Sequence, residues 1–444
     1  MSRPQPLSGF PELLPDQRIV ESQVIDHLRR TFEMHGFAEI QTRSVEPLDQ
    51  LLRKGETSKE VYVLRRLQAE GEDASDAKLG LHFDLTVPFA RYVLENAGKL
   101  HFPFRRYQIQ PAWRGERPQE GRYREFWQAD VDIVDRDKLP GHYEVELPLV
   151  IADALRGLPI PRARMHVNNR KLSQGFYQGL GLSDPMETLR MVDKLDKIGP
   201  EALSKLLQEN LGASPDQAEA CLKLAEISSA DTSFVERVRA LGVSDPLLEE
   251  GLSELSELVE TAAEVSPGFV VADLRIARGL DYYTGTVYET FMEGREDLGS
   301  ICSGGRYDTL ASDGKNTFPG VGLSIGLSRA LVPLLKSGQV RASRSVPTCV
   351  LVALPAEEDR RDCQRLAQRL RSRGIATQVS PAASKFGKQI KFADKRGIPF
   401  VLFPSDAGNE VRDVRSGEQV PIDADTWMPP QEDLTPQVLM GEQN

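Results

Sequence analysis

In the first long patterned stretch, DQRIVESQVIDHLRRTFEMHGF, apolar residues recur every three or four positions. Val20, Val24, Leu28 and Phe32 share one face and Gly36 stands where a helix end would be capped, which predicts an amphipathic helix. FAEIQT then reads as a strand. KLGLHFDLTVPFARYVLE begins extended at Leu81–Phe83 and turns helical after Pro88, a residue suited to a first helical turn. Two stretches alternate with period two. In FRRYQIQPAWR, Tyr107, Ile109 and Trp113 share one face and Arg106, Gln108, Gln110 and Arg114 the other. In FWQADVDIV, Trp127, Ala129, Val131 and Ile133 oppose Phe126, Gln128, Asp130 and Asp132. A solvated ribbon face is usually covered by Lys, Thr and Glu, so a face of Gln and Asp predicts a sheet lining a site.

From about residue 170 to 265 the pattern becomes that of short helices rich in Leu, Ala, Glu and Ser and punctuated by Gly212, Pro215, Gly242 and Pro246. Strands resume with GFVVADLRIA, TVYETF and SICSGGRYD. The glycine run FPGVGLSIG leads into a helix bearing Arg329. After the linker RASRSVPT the order is β-α-β-α-β, a compact α/β domain. Its helices carry basic rows, Arg361, Arg365 and Arg369 on the first and Lys385, Lys388, Lys391 and Lys395 on the second.

Composition narrows the function classes. A chain of 444 residues with net charge −11 predicts several domains and argues against indiscriminate nucleic-acid binding, which needs widespread cations. No stretch reaches the roughly 18 apolar residues of a membrane span. The four cysteines, Cys221, Cys302, Cys349 and Cys363, form no C-x-x-C pair, so no metal site is predicted and a cytoplasmic location is expected. The least ordinary stretch is RGLDYYTGTVYE, residues 278–289, which crowds an arginine, an aspartate and three tyrosines into one turn between strands.

Taken in order, these motifs resemble the histidyl-tRNA synthetases along nearly the whole chain. FRRYQIQPAWRGERPQEGRYREFWQADVDIV is similar to the family's class II motif 2, RGLDYYTGTVYE and SGGRYD to its two histidine boxes, and PGVGLSIGLSRAL to motif 3. The resemblance implies an α+β fold with four parts: an antiparallel-sheet catalytic domain, class II in type, in two segments (1–169 and 266–340), a helical insertion (170–265) and an α/β anticodon-binding domain (345–444). It also implies that L-histidine is activated by ATP, with Mg2+ accompanying the nucleotide, and then joined to tRNA(His) by a homodimer.

Residue by residue, the resemblance makes Arg114 and Arg278 catalytic cations that also lie against histidine. Asp84, Thr86 and Gln128 would take the α-amino end, and Asp132, Tyr282 and Tyr283 the imidazole. Arg114, Glu116, Arg122, Arg124, Phe126 and Arg329 would hold ATP, while Gln119, Lys385, Lys388 and Lys391 would meet tRNA. The sequence departs from the family at His82, commonly arginine, at Ser328, commonly acidic, and at Arg43 in a motif 1 that lacks its usual proline. The competing reading is the synthetase-like regulatory subunit of ATP phosphoribosyltransferase, a histidine-binding, non-catalytic paralogue that generally lacks the C-terminal domain.

Overall fold

The computed structural model describes residues 4–52, 59–65, 78–277, 282–405 and 407–441. It divides into two units, Met1–Pro11 with Ile25–Pro333, and Glu12–Val24 with Leu334–Asn444.

The first unit is built on a nine-stranded sheet. Its strands are β1 (Ala38–Glu39), β2 (Phe104–Trp113), β3 (Glu125–Val134), β4 (Ala163–Asn169), β5 (Ser228–Ser229), β6 (Val270–Asp273), β7 (Tyr283–Met292), β8 (Cys302–Ser312) and β9 (Thr317–Gly326). They lie in the order β1-β2-β3-β9-β8-β7-β4-β6-β5. From β2 through β3, β9, β8 and β7 to β4 every neighbour is antiparallel, and only β1–β2 and β4–β6 run parallel.

The alternation read in β2 and β3 sets the two faces of this sheet. On the apolar face Tyr107, Ala129, Val131 and Ile133 are buried. The Tyr107 ring lies 5.6 Å from that of Phe32, and its hydroxyl donates to Glu33 at 2.9 Å. Helix His142–Arg156 packs on β9 and buries Leu147, Val150, Ile151 and Ala154. The Leu147, Val150 and Ile151 side chains each contribute about 1.5–3 kcal/mol.

The polar face is equally dry: Arg106, Gln108, Gln110, Gln128, Asp130 and Asp132 are all buried. A solvated ribbon is therefore excluded. The face divides its work. Gln108 donates to Thr42 Oγ1 (2.8 Å) and Gln110 to Thr42 O (3.0 Å), tying down residues 42–44. Arg106, Gln128, Asp130 and Asp132 belong to the site described below.

The helix expected after Pro88 starts two residues earlier, as Thr86–Asn96, because Asp84 Oδ1 accepts the amide of Val87 at 3.1 Å and satisfies its first turn. Residues 170–265 form seven helices joined by turns and by β5. Asn169, Asp184, Ser214 and Asp245 cap four of the helices with side-chain oxygens.

In the second unit the five-stranded sheet runs Thr377–Val379, Val350–Val352, Phe400–Phe403, Asn409–Asp413, Gln419–Ile422. The first three strands are parallel, with helices Arg360–Ser372 and Phe386–Lys395 as crossovers, and the last two are antiparallel. Among the described residues no helix is long and apolar enough to cross a membrane.

Candidate active site

Strand register brings the chemistry together. Across β2, β3, β9 and β8, one row reads Arg106, Asp132, Gly322 and Gly305, and the next reads Gln108, Asp130, Ser324 and Ser303. Side chains directly opposite on one face of antiparallel strands touch, so these rows form a floor. The glycines keep it open: a Cβ at Gly322 would lie 2.0 Å from Asp132 Oδ1, and one at Gly305 would lie 2.8 Å from the Tyr283 ring.

Two cavities share that floor. The smaller, about 240 Å³, is lined by Thr86, Asp130, Asp132, Tyr283, Ser303, Tyr307 and Ser324. The larger, about 540 Å³, is lined by Arg114, Glu116, Arg122, Tyr123, Phe126, Gln128, Ser303, Ser324 and Arg329. Ser303 and Ser324 belong to both, so one cleft runs from a carboxylate end to an arginine end.

At the carboxylate end Asp132 is held from two sides. Tyr307 donates to Oδ1 at 2.7 Å, and Arg106 Nη2 lies 2.7 Å from Oδ2. The Arg106 contact is an ion pair without hydrogen-bond alignment, and its guanidinium lies over the Phe89 ring, 4.1 Å from its centre. Burial, then the Asp132 charge, keeps the Tyr307 hydroxyl far above its ordinary titration range, so it remains a donor. Burial first and Asp84 second do the same for Tyr282. The Tyr282 hydroxyl donates to that of Tyr283 at 3.4 Å, but only Tyr283 lines the cavity.

The arginine end gathers cations. Arg114 donates from Nε to Phe83 O (3.0 Å) and lies 5.0 Å over the Phe126 ring. Arg329 donates to Gly121 O (3.0 Å) and Ser300 O (2.6 Å), which fixes it beneath the β2–β3 loop. Burial, then Arg122 and Arg114, depress the Arg329 pKa. Among the described residues Glu116 is the one carboxylate of that lining, 3.8 Å from Arg122. Such a site is short of negative charge and suits a polyanion.

Other predicted residues are placed differently. Arg124 does not line the cleft; it donates to Glu116 O at 3.2 Å and braces the loop. Gln119 is exposed at the loop tip, in a turn closed by paired backbone bonds with Arg122. Arg278 lies outside the described residues. Lys385, Lys388 and Lys391 are exposed on their helix, whereas Arg365 and Arg369 of the neighbouring row are engaged by Asp362 and Asp425.

Tyr307, Arg106, Asp130, Ser303 and Ser324 were not singled out from the sequence as site residues. Arg106 and Asp130 carried a signal in the polar alternation, and Tyr307 lay inside SGGRYD. The departures are structural: His82 bridges Pro111 O (2.7 Å) and Arg43 O (3.3 Å), and Ser328 Oγ accepts the amide of Trp127 (2.8 Å).

This antiparallel sheet, with its cationic and carboxylate cavities and a separate α/β unit, defines an aminoacyl-tRNA synthetase. A family model for histidyl-tRNA synthetase matches residues 9–330, and one for an anticodon-binding domain matches residues 348–427. The chain is 59% identical to a histidine–tRNA ligase of Cutibacterium acnes over 99% of both chains, and 60% identical to that of Micrococcus luteus over the full length of each. It superposes with a TM-score of 0.85 on the histidyl-tRNA synthetase of Nostoc sp. PCC 7120, at 33% identity, covering 96% of this chain and 98% of that one. The chain belongs to the histidyl-tRNA synthetase family. Its likeness to a Bacillus halodurans protein titled ATP phosphoribosyltransferase regulatory subunit/histidyl-tRNA synthetase, at 18% identity and TM-score 0.72, is one of fold. Full-length ligase relatives do not favour the regulatory reading.

Proposed function

We propose that the chain is a histidine–tRNA ligase. The carboxylate of L-histidine attacks the α-phosphorus of ATP, diphosphate leaves, and histidyl-adenylate forms. A terminal ribose hydroxyl of tRNA(His) then attacks the acyl carbon and AMP leaves. The observation that carries this reading is the single cleft joined through Ser303 and Ser324, with arginines at one end and carboxylates at the other.

ATP enters the larger cavity with its base against Phe126 and its phosphates toward Arg114, Arg122 and Arg329. Three fixed cations suit the charge that grows on the α-phosphate in the transition state, because they need no reorganisation as it forms. Mg2+ would accompany ATP and neutralise part of its phosphate charge, and Glu116, which lines the same cavity, would be available to hold it. Arg278 acts on the opposite side of the phosphate.

Histidine enters the smaller cavity, lined by Thr86, Asp132 and Tyr283: Thr86, with Asp84 behind it and Gln128 from the adjoining larger cavity, takes the ammonium group, while Asp132 and Tyr283, backed by Tyr282, take the imidazole. An amino acid lacking those donors leaves buried acceptors unpaired, which penalises it by about ten-thousandfold. Gln119 meets the acceptor end of the tRNA, and Lys385, Lys388 and Lys391 meet the anticodon arm. The working form is a cytoplasmic homodimer organised as a catalytic domain (1–169 and 266–340), a helical insertion (170–265) and an anticodon-binding domain (345–444). The deciding experiment is histidine-dependent ATP–pyrophosphate exchange, followed by charging of tRNA(His). Absence of the first activity, or its appearance with other amino acids, overturns the reading.

A further inference from the structure

Between β7 and β8 the pairing slips. Val287 stands opposite Gly305 but Tyr283 stands opposite Tyr307, so residues 283–287 of one strand run against residues 305–307 of the other. A regular ladder would set Gly285 opposite Tyr307 and Tyr283 opposite Thr309. The bulge draws Tyr283 back by two residues, about 7 Å along the strand. Its ring then lies against Gly305 and lines the smaller cavity.

The surplus backbone of such a bulge must find partners outside the ladder. Glu144, buried in the first turn of helix His142–Arg156, accepts the Thr286 amide on Oε2 at 2.8 Å. Its Oε1 accepts from Arg306 Nη1 at 2.8 Å. Arg306 is the residue of β8 between the two paired positions, and its other guanidinium nitrogens are also engaged. Nη2 donates to Leu139 O (3.0 Å) and Nε to Asp308 Oδ1 (3.0 Å). Asp308 Oδ2 accepts the Thr284 hydroxyl at 2.6 Å, so the network closes on the residue next to Tyr283. The pair also fills the middle of the bulge: a Cβ at Gly285 would lie 2.8 Å from both Arg306 Cδ and Glu144 Oε2.

We propose that Glu144 and Arg306 are positioning residues for the amino-acid pocket, their ion pair bracing the bulge that sets where Tyr283 stands against the substrate's imidazole. This rests on the assignment of Tyr283 to the imidazole made under the proposed function. Neither residue lines either cavity; both act through residues 284–286.

The test is a double-mutant cycle in the full-length protein, read by histidine-dependent ATP–pyrophosphate exchange. Arg306→Lys keeps a charge beside Glu144 but loses the three-armed fork. It is expected to raise KM for histidine about tenfold, with KM for ATP within about twofold of the parent. Thr284→Val removes only the hydroxyl that reaches Asp308 and leaves the buried pair intact. It is expected to raise KM for histidine about threefold, and it takes over the test if Arg306→Lys does not fold. In a Tyr283→Ala background either substitution should add less than about twofold, because its target is gone.

An unchanged KM for histidine in the deciding variant, an equal rise in KM for ATP, or effects that multiply with Tyr283→Ala would each overturn the positioning role. If Tyr283→Ala by itself leaves KM for histidine unchanged, it is the underlying assignment that fails.

Discussion

Arg106 and Asp132, opposite one another on β2 and β3, form a buried 2.7 Å ion pair, their side chains being 0% and 4% exposed. Removing one member of such a pair leaves an uncompensated charge in the interior, which costs about 3–5 kcal/mol. Arg106→Leu is therefore expected to lower the thermal midpoint by at least about 6 °C and to raise KM for histidine. Arg106→Lys, which keeps the charge but loses the guanidinium's contact with the Phe89 ring, should fall between the two. A melting curve for Arg106→Leu that overlays the parent's would show that the pair holds nothing in place.

Asp130 makes stability depend on pH in an uncommon direction. Burial first, then the neighbouring Asp132 and Asp84 charges, raise its pKa from 3.8 to about 7, against the opposing pull of Arg106. Between those values the folded protein keeps a proton that the unfolded chain has released. Stability from this group is thus fully present below about pH 4 and is lost as pH rises through about 7. Asp130→Asn, uncharged throughout, should gain on the parent over that window by up to a few kcal/mol, with the two converging near pH 4. Thermal melts from pH 4 to 8 measure it; a gap that is constant with pH contradicts the raised pKa.

Arg278 separates binding from chemistry in the proposed mechanism. Arg278→Ala is expected to reduce kcat for pyrophosphate exchange by about a thousandfold while KM for ATP and histidine changes little. A large rise in KM at normal kcat would assign it to ground-state binding instead.

The exposed lysines of the second unit make the two steps separable. Replacing Lys385, Lys388 and Lys391 together by alanine should leave pyrophosphate exchange unchanged, raise KM for tRNA(His), and flatten its dependence on salt by up to about three counterions. Equal loss of both activities would indicate a folding defect rather than lost phosphate contacts.

Much of this was legible along the chain because period-two and period-3.6 patterns are local. The faces of β2 and β3 followed from alternation alone, and the basic rows of the second unit from helical spacing. What stayed hidden depends on register between distant segments. Tyr307 reaches Asp132 across 175 positions of sequence, and Ser324 meets Asp130 only because β9 lies beside β3. No window of sequence contains that information. Asn409–Asp413 and Gln419–Ile422 escaped prediction for a different reason. They are short, the first being polar with one buried residue and the second exposed and interrupted by Pro421, so they lack the apolar alternation that identifies a strand. The roles of His82 and Ser328 were hidden too, since a ring or hydroxyl that satisfies distant backbone groups looks like any other polar substitution.

The glycine floor bears on how this pocket can change over evolutionary time. Walls made of side chains can be reshaped one substitution at a time, but Gly305 and Gly322 present bare main chain inside antiparallel ladders that tolerate little local movement. A single added methyl at Gly322 would collide with the Asp132 carboxylate. Descendants of this protein can therefore acquire a preference for a different amino acid only by rebuilding the walls, and the depth of the pocket stays as an inherited constant.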